Sequence, residues 1–118
     1  MIIDEAARVP DETYFATRPF LAVSGGTLVA LSTPWGKRGW YYKEWEHGQG
    51  WKRTKIRASE CPRIPASFLA EEHRTLPPIW YASEYECVFS DTVNSVFRSV
   101  DIDAMFAEDA EPLFPLGV

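Results

Sequence analysis

The chain has 118 residues, 46% of them hydrophobic and 14% aromatic, with a formal net charge of −5 and a pI near 5.0. This length fits one modest domain with a real core, and the composition excludes a disordered chain. The absence of an apolar run of about 18 residues excludes a membrane helix, no secretory signal pattern opens the sequence, and the acidic balance disfavours a free-standing nucleic-acid-binding domain.

The first third of the chain predicts a βαβ unit. Residues 1–4 read as a short buried strand, and residues 10–17 as a helix with proline and two acidic residues in its first turn. A Ser-Gly-Gly turn at 24–26 leads into residues 27–31, a continuous apolar strand of the kind found inside parallel sheets. Because functional residues follow the carboxyl ends of such strands, both ends are candidates for a site.

The rest of the chain predicts helices with one further strand. The expected fold class is therefore α/β, a partial parallel sheet with flanking helices. In chain order we expect a helix over 40–45, a break at 48–50, a half-exposed strand over 51–58, helices over 67–73 (capped by Ser67) and 79–86, a turn at 91–94, an extended piece at 95–97 and a helical turn over 100–106.

The first strand ends on two adjacent carboxylates, Asp4 and Glu5. This arrangement is typical of a Walker B element, in which the aspartate reaches the magnesium ion that bridges the phosphates and the glutamate orients the attacking water. No G-x-x-x-x-G-K-[S/T] loop, the Walker A partner of that element, occurs in the 118 residues. The alternative is that the pair caps the N-terminus of the next helix.

The second strand ends on Ser32, Thr33 and Pro34, and parallel strands would place these residues on the same sheet edge as Asp4 and Glu5. Hydroxyl groups beside a Walker B strand can sense the γ-phosphate and pass that state to the following segment. The alternative for this tripeptide is an ordinary turn.

Four segments in this order resemble the large subunit of tailed-phage terminases. They are Ile2–Ala6, Leu31–Gly36, Gly39–Tyr42 and Glu84–Phe89. The resemblance extends over roughly 1–106 and implies an incomplete, P-loop-NTPase-like sheet. It also implies a motor in the cytoplasm of a bacterial host that packages double-stranded DNA with the portal protein and the small terminase subunit, while a separate nuclease domain cuts the DNA.

Carried over by position, the resemblance implies that Asp4 is the carboxylate associated with magnesium through the nucleotide and that Glu5 is the catalytic glutamate. Ser32, Thr33 and Pro34 would match the motif that couples hydrolysis to DNA movement. Residues 1–90 would then form the second half of the ATPase domain, and residues 91–118 the linker toward the nuclease domain. The Walker A half and the adenine-binding region should precede the first residue, so the chain is expected to be a fragment, from a prophage remnant or a split gene.

Two basic residues follow the coupling motif. Lys37 and Arg38 are candidates to contact phosphate or DNA, or to act on a neighbouring subunit's nucleotide, and the alternative is a solvated surface pair. Residues 35–63 carry eight basic and three acidic side chains, which could face phosphate or an acidic partner.

The remaining polar and aromatic side chains receive no catalytic role. The aromatic residues between 35 and 51 are expected in the core or at a partner interface rather than as a platform for single-stranded nucleic acid. Asp91, Asp101 and Asp103 are not expected to be metal ligands, and Asp101 and Asp103 are expected to cap and solvate a short helix. His47 and His73 are expected to be isolated surface or packing residues, and Cys61 and Cys87 to be buried or neutral thiols.

The chain alone is expected not to hydrolyse ATP and to bind neither ATP nor magnesium, which belong to the complete enzyme. Two further functions remain open: a complementing subunit that assembles with a separate Walker A polypeptide, and a non-catalytic module that binds DNA or protein through its basic middle. A helicase-type lobe is disfavoured by the Pro-Trp-Gly sequence after Thr33 and by the segment 84–97. No membrane partner is expected.

Overall fold

The structure, a computed structural model, describes residues 1–91. Within them it contains a two-stranded parallel sheet and four α-helices, which confirms a mixed architecture of helices and strands. The expected pieces at 95–97 and 100–106, and most of the expected linker, lie outside the described residues. The elements are β1 (Ile2–Ile3), a 3-10 turn (Ala6–Arg8), α1 (Asp11–Ser24), β2 (Val29–Ala30), α2 (Gly39–His47), a 3-10 turn (Ala58–Glu60), α3 (Ala66–Thr75) and α4 (Pro78–Glu86).

The β1–α1–β2 segment forms the predicted parallel pair. Ile2 lies opposite Val29 and Ile3 opposite Ala30. Backbone N–H groups continue the ladder beyond the strands, since Val29 donates to the Met1 carbonyl at 2.9 Å. Each strand is two residues long, shorter than the four and five residues expected, so the βαβ unit is real but minimal.

Helix α1 is longer than expected. It begins after Pro10, carries Asp11 and Glu12 in its first turn, and ends at Gly25, whose φ of 59° suits a residue without a side chain. The sequence predicts an end near residue 17, but Pro19 lies inside the helix. Proline inside a helix removes one backbone hydrogen bond and crowds the carbonyl four residues earlier, which is why the sequence favours an earlier end, yet α1 continues past Pro19 to Ser24.

The expected strand over 51–58 is wrong. Residues 51–57 have no regular secondary structure, and Ile56 is 64% exposed. The physical reason lies in the spacing: Trp51 falls on the opposite face of a strand from Thr54 and Ile56, so no face is uniformly apolar. The predicted capping role of Ser67 is also wrong, because α3 is preceded by Pro65 and has no side-chain cap hydrogen bond.

The core of the described region is small and aromatic. The rings of Tyr14 and Trp40 stack with centroids 4.1 Å apart and planes 10° apart. Ala6 completes the buried cluster, and the residues that pack against it are Ile3, Leu28, Ala30 and Tyr41. The core therefore joins one face of the sheet to α1 and α2.

The opposite face of the sheet is not covered by the described residues. Ile2 is 70% exposed, Val29 42% and Leu31 51%. The prediction that both strands are fully buried is therefore wrong for this face, because within residues 1–91 no element packs on it. Parallel sheets are normally covered on both faces.

No helix among residues 1–91 is both long enough and apolar enough to cross a lipid bilayer.

Candidate functional site

The acidic pair lies immediately after β1 and is exposed. Glu5 adopts a left-handed backbone conformation with φ 51° and ψ 39°, and its N–H donates to Asp4 Oδ1 at 2.9 Å. A non-glycine residue in this conformation costs on the order of 1 kcal/mol, so the turn is held by its surroundings. Glu5 occupies the N-cap position of the following 3-10 turn, but its side chain makes no cap hydrogen bond, and α1 has no side-chain cap either. The alternative of side-chain capping by the acidic pair is therefore wrong.

The backbone after the acidic pair is joined to the end of β2. The Ala6 N–H donates to the Leu31 carbonyl at 3.0 Å, and the Ala7 N–H donates to Ser32 Oγ at 3.1 Å. The Ser32 hydroxyl in turn donates to the Thr33 carbonyl at 2.7 Å. The two motifs therefore meet at one edge of the sheet, as expected.

The two residues after Ser32 differ in their surroundings. Thr33 is half-buried, and its hydroxyl has no hydrogen-bond partner among the described residues. Pro34 is buried, and its carbonyl accepts a hydrogen bond from the Ser83 hydroxyl, which is fully buried in α4. The alternative of an ordinary turn is wrong, because the structure has no turn at residues 32–34.

Arg8 forms a cluster that the sequence did not indicate. Its guanidinium lies 4.0 Å from the ring centroid of Trp35 and 5.8 Å from that of Trp80. The same group is 4.0 Å from a Glu5 carboxylate oxygen and 3.8 Å from one of Glu84. Arg8 thus links the acidic pair to α4, and no spacing pattern in the sequence could have identified residues so far apart.

The two basic candidates are placed differently. Lys37 Nζ is 3.0 Å from Asp91 Oδ1, and the hydrogen bond to this carboxylate raises the pKa of Lys37. The Lys37 N–H donates to the Ser90 carbonyl at 3.1 Å. Arg38 is exposed, and its side chain has no ion pair within residues 1–91. Of the two, Arg38 is better placed to meet an external anion.

The donor atoms at this edge are oxygens of the kind that hard cations prefer. Carboxylate and hydroxyl oxygens, the ligands that magnesium prefers, are supplied by Asp4, Glu5 and Thr33. Within the described residues no group of three or more His, Cys, Asp or Glu side chains could hold a metal ion by itself. The edge also has no glycine-rich loop to surround phosphates. Within residues 1–91 the edge therefore offers oxygen donors without a loop that could surround phosphates.

Comparison with known proteins finds no relative of this chain. No protein-family model, curated protein or solved structure matches it. Its function is therefore inferred from the residues and geometry of the site.

Proposed function

We propose that the chain is the second half of a terminase-type ATPase domain, a part of a motor that drives duplex DNA into a phage capsid. The observation that supports this proposal is the meeting of Asp4 and Glu5 with Ser32 and Thr33 at the carboxyl edge of a parallel strand pair. Placing the carboxylates and the hydroxyls on one edge is what hydrolysis coupled to sensing requires. In this proposal the sheet is part of a P-loop-NTPase-like fold, and double-stranded DNA, portal protein and small terminase subunit are the partners.

Each residue of the edge receives one role. The Asp4 carboxylate would hold the magnesium ion of a bound nucleotide, and Glu5 would orient the attacking water. Magnesium, when bound with ATP, neutralises charge on the phosphates. Thr33 has the hydroxyl that is not used inside the described structure, so it senses the nucleotide. Pro34 passes the change to α4 through the hydrogen bond from Ser83.

The chain alone is inactive in this proposal, because positioning and electrostatic stabilisation supply nearly all the catalysis of phosphoryl transfer and nothing here surrounds the phosphates. A phosphate-release assay on the purified chain tests it. We expect no turnover above the buffer blank. Turnover that disappears in Glu5→Gln would refute the inactivity of the isolated chain.

Adding a complementing Walker A polypeptide tests whether the chain is part of a working split enzyme or an inactive fragment. Co-expression with a P-loop polypeptide encoded upstream should give a complex that co-purifies and hydrolyses ATP. In that complex Glu5→Gln should abolish turnover while leaving assembly intact. Full activity of the Glu5→Gln complex would contradict the role given to this glutamate.

A second candidate function, a DNA-binding module, is favoured by one observation. Lys52, Lys55 and Arg57 lie on the extended, exposed segment 51–57 and have no ion pair among the described residues. Binding to duplex DNA should weaken steeply with salt and should fall further in the double variant Lys52→Glu and Lys55→Glu. Arg53 is a poor choice for this test, because it donates to the Glu44 carbonyl at 2.7 Å and its loss would disturb the end of α2.

A further inference from the structure

A groove of about 410 Å³ is lined by β2 and by no residue of β1. Residues 27–30 form one wall, and α2 with the segment 50–53 forms the other. Its lining includes Tyr41, Trp45, Trp51 and Lys52, and we call this feature the aromatic groove. It is separate from the edge that carries Asp4.

The backbone of β2 presents unused hydrogen-bonding groups to the aromatic groove. The N–H groups of Val29 and Leu31 donate toward β1, to Met1 and Ile3 at 2.9 Å each. Along a strand these groups alternate in direction, so those of the intervening residues point away from β1. The N–H and C=O groups of Leu28 and Ala30 have no hydrogen-bond partner within residues 1–91.

Unpaired groups of this kind favour one class of occupant. A row of free N–H and C=O groups is a template for another strand, and two strands alone make a marginal sheet. Because the other wall is aromatic, the side chains that enter the aromatic groove should be apolar. A planar ligand or a helix would leave the backbone of Leu28 and Ala30 unpaired, at a cost of about 1–3 kcal/mol for each buried group.

The charged side chains at the rim of the aromatic groove indicate which charge the bound segment should carry at its end. Lys52 lines the rim and has no ion pair among the described residues. The only carboxylate of the lining, that of Glu44, already accepts hydrogen bonds from Trp51 Nε1 at 2.8 Å and from the Tyr14 hydroxyl at 3.2 Å. Arg53, the other cation of the lining, donates to the Glu44 carbonyl, so Lys52 is the charged group available to an incoming chain, and it favours an acidic residue.

We propose that the aromatic groove binds an extended, apolar strand with an acidic flank, supplied by a partner polypeptide, which pairs with the free edge of β2. This mode of recognition is β-strand addition: main-chain hydrogen bonds supply affinity, and alternate side chains supply specificity. The inference uses no residue of the acidic edge, so its test does not depend on ATP hydrolysis.

The test uses the full chain and a synthetic seven-residue probe, acetyl-Thr-Val-Thr-Val-Thr-Val-Glu-amide. Two further versions carry N-methyl groups at the odd or at the even positions. Successive N–H groups of a strand point to opposite sides, so only one of these two versions blocks pairing with β2. Binding is measured by calorimetry, and its location by ¹⁵N chemical shifts of the Leu28 and Ala30 amides.

We expect the unmethylated probe to bind and to shift the amides of Leu28 and Ala30. One methylated version should bind at least about tenfold more weakly, while the other keeps its affinity. Equal binding of both versions would overturn the proposal, because contact would then be apolar without strand pairing. Absence of binding by the unmethylated probe would overturn it as well.

Two variants locate the site and keep the test independent of folding. Trp45→Ala should weaken binding, whereas Trp80→Ala, outside the aromatic groove, should not, and circular dichroism checks that both remain folded. Replacing the probe's glutamate by lysine should weaken binding for the wild type but not for Lys52→Gln. The chain could instead form a dimer that dissociates in Trp45→Ala and that the probe does not disrupt. In that case the occupant is a second copy and the proposal is wrong.

Discussion

Trp40 gives the sharpest test of the packing described above, because a single ring serves two functions in the core. It is 2% exposed, stacks on Tyr14 with centroids 4.1 Å apart, and donates from Nε1 to the Val9 carbonyl at 3.0 Å. Trp40→Phe retains an aromatic ring for the stack but removes the N–H donor and part of the ring volume. Both losses act on the junction between the acidic edge and α2.

The two losses add to a measurable destabilisation. The Val9 carbonyl left without its donor costs about 1–3 kcal/mol, and a partial cavity costs on the order of 1 kcal/mol more. We therefore expect a loss of about 2–4 kcal/mol, a large share of the roughly 5–15 kcal/mol by which domains are stable. With a urea slope of about 1–3 kcal/mol/M, the unfolding midpoint should fall by roughly 1 M or more.

The assay is urea unfolding followed by far-ultraviolet circular dichroism, a signal dominated by helices rather than by the substituted ring. Trp80→Phe is the matched control: Trp80 is 41% exposed and packs edge-on against Trp35 at 5.0 Å. It should lose less than about 1 kcal/mol. A Trp40→Phe chain within about 0.5 kcal/mol of the wild type, or a control that loses as much, would refute the assignment of Trp40 to the centre of the core.

The other predictions concern the acidic edge and two tyrosines of the core, Tyr14 and Tyr41. Ser83→Ala should lower the unfolding free energy by about 1–2 kcal/mol in urea, because the buried Pro34 carbonyl loses its donor; an unchanged midpoint would contradict this link. Ser32→Ala should also lower the urea midpoint, by removing the acceptor of a backbone N–H, whereas Thr33→Val should leave stability within about 0.5 kcal/mol and abolish turnover only in an assembled enzyme. Burial raises the pKa of Tyr14 and Tyr41 above 10.0, so the folded state holds their protons more tightly, and this contribution to stability is complete below pH 10.0 and is lost as pH rises through the folded pKa values. Urea midpoints at pH 8 and above pH 10 check the sign, and a midpoint that rises would be the opposite result.

The sequence predicted the parts of the fold that depend on local pattern. Two apolar strands separated by a helix gave the correct parallel pair, and their ends correctly brought Ser32 close to the backbone after Glu5. It failed where the outcome depends on long-range partners. The strand over 51–58 was expected from a partial alternation, yet a strand also needs hydrogen bonds to a neighbour, and this segment forms no strand pairing with the described residues.

The candidate site shows the same division. Asp4 and Glu5 were identified because carboxylates after a strand have a chemical meaning, whereas Arg8 was not, because its contacts with Trp35 and Glu84 depend on how α4 packs. Lys37 and Arg38 were indistinguishable in the sequence. Only the position of Asp91 separates them, since it pairs with the lysine and leaves the arginine exposed.

Two separate connections run from the acidic edge to α4, and they differ in strength. The first runs through Pro34 to the fully buried Ser83, where a lost hydrogen bond is costly. The second runs from Glu5 through Arg8 to Glu84, where the carboxylate groups lie 4.0 and 3.8 Å from the guanidinium and the side chains are 34–65% exposed. Exposed ion pairs contribute about 0–1 kcal/mol.

This difference assigns separate tasks to the two connections. The buried link holds α4 in a fixed position relative to the Ser-Thr-Pro segment, so any movement of that segment must move α4 too. The exposed link can break and re-form at little cost, which would suit Glu5 in the proposed ATPase, where its carboxylate would change partners when nucleotide binds. Arg8→Gln should therefore leave the unfolding free energy within about 1 kcal/mol of the wild type, while Ser83→Ala should not. Equal losses of unfolding free energy in the two variants would mean that Arg8 stabilises the fold and that Glu5 cannot readily leave its ion pair with Arg8.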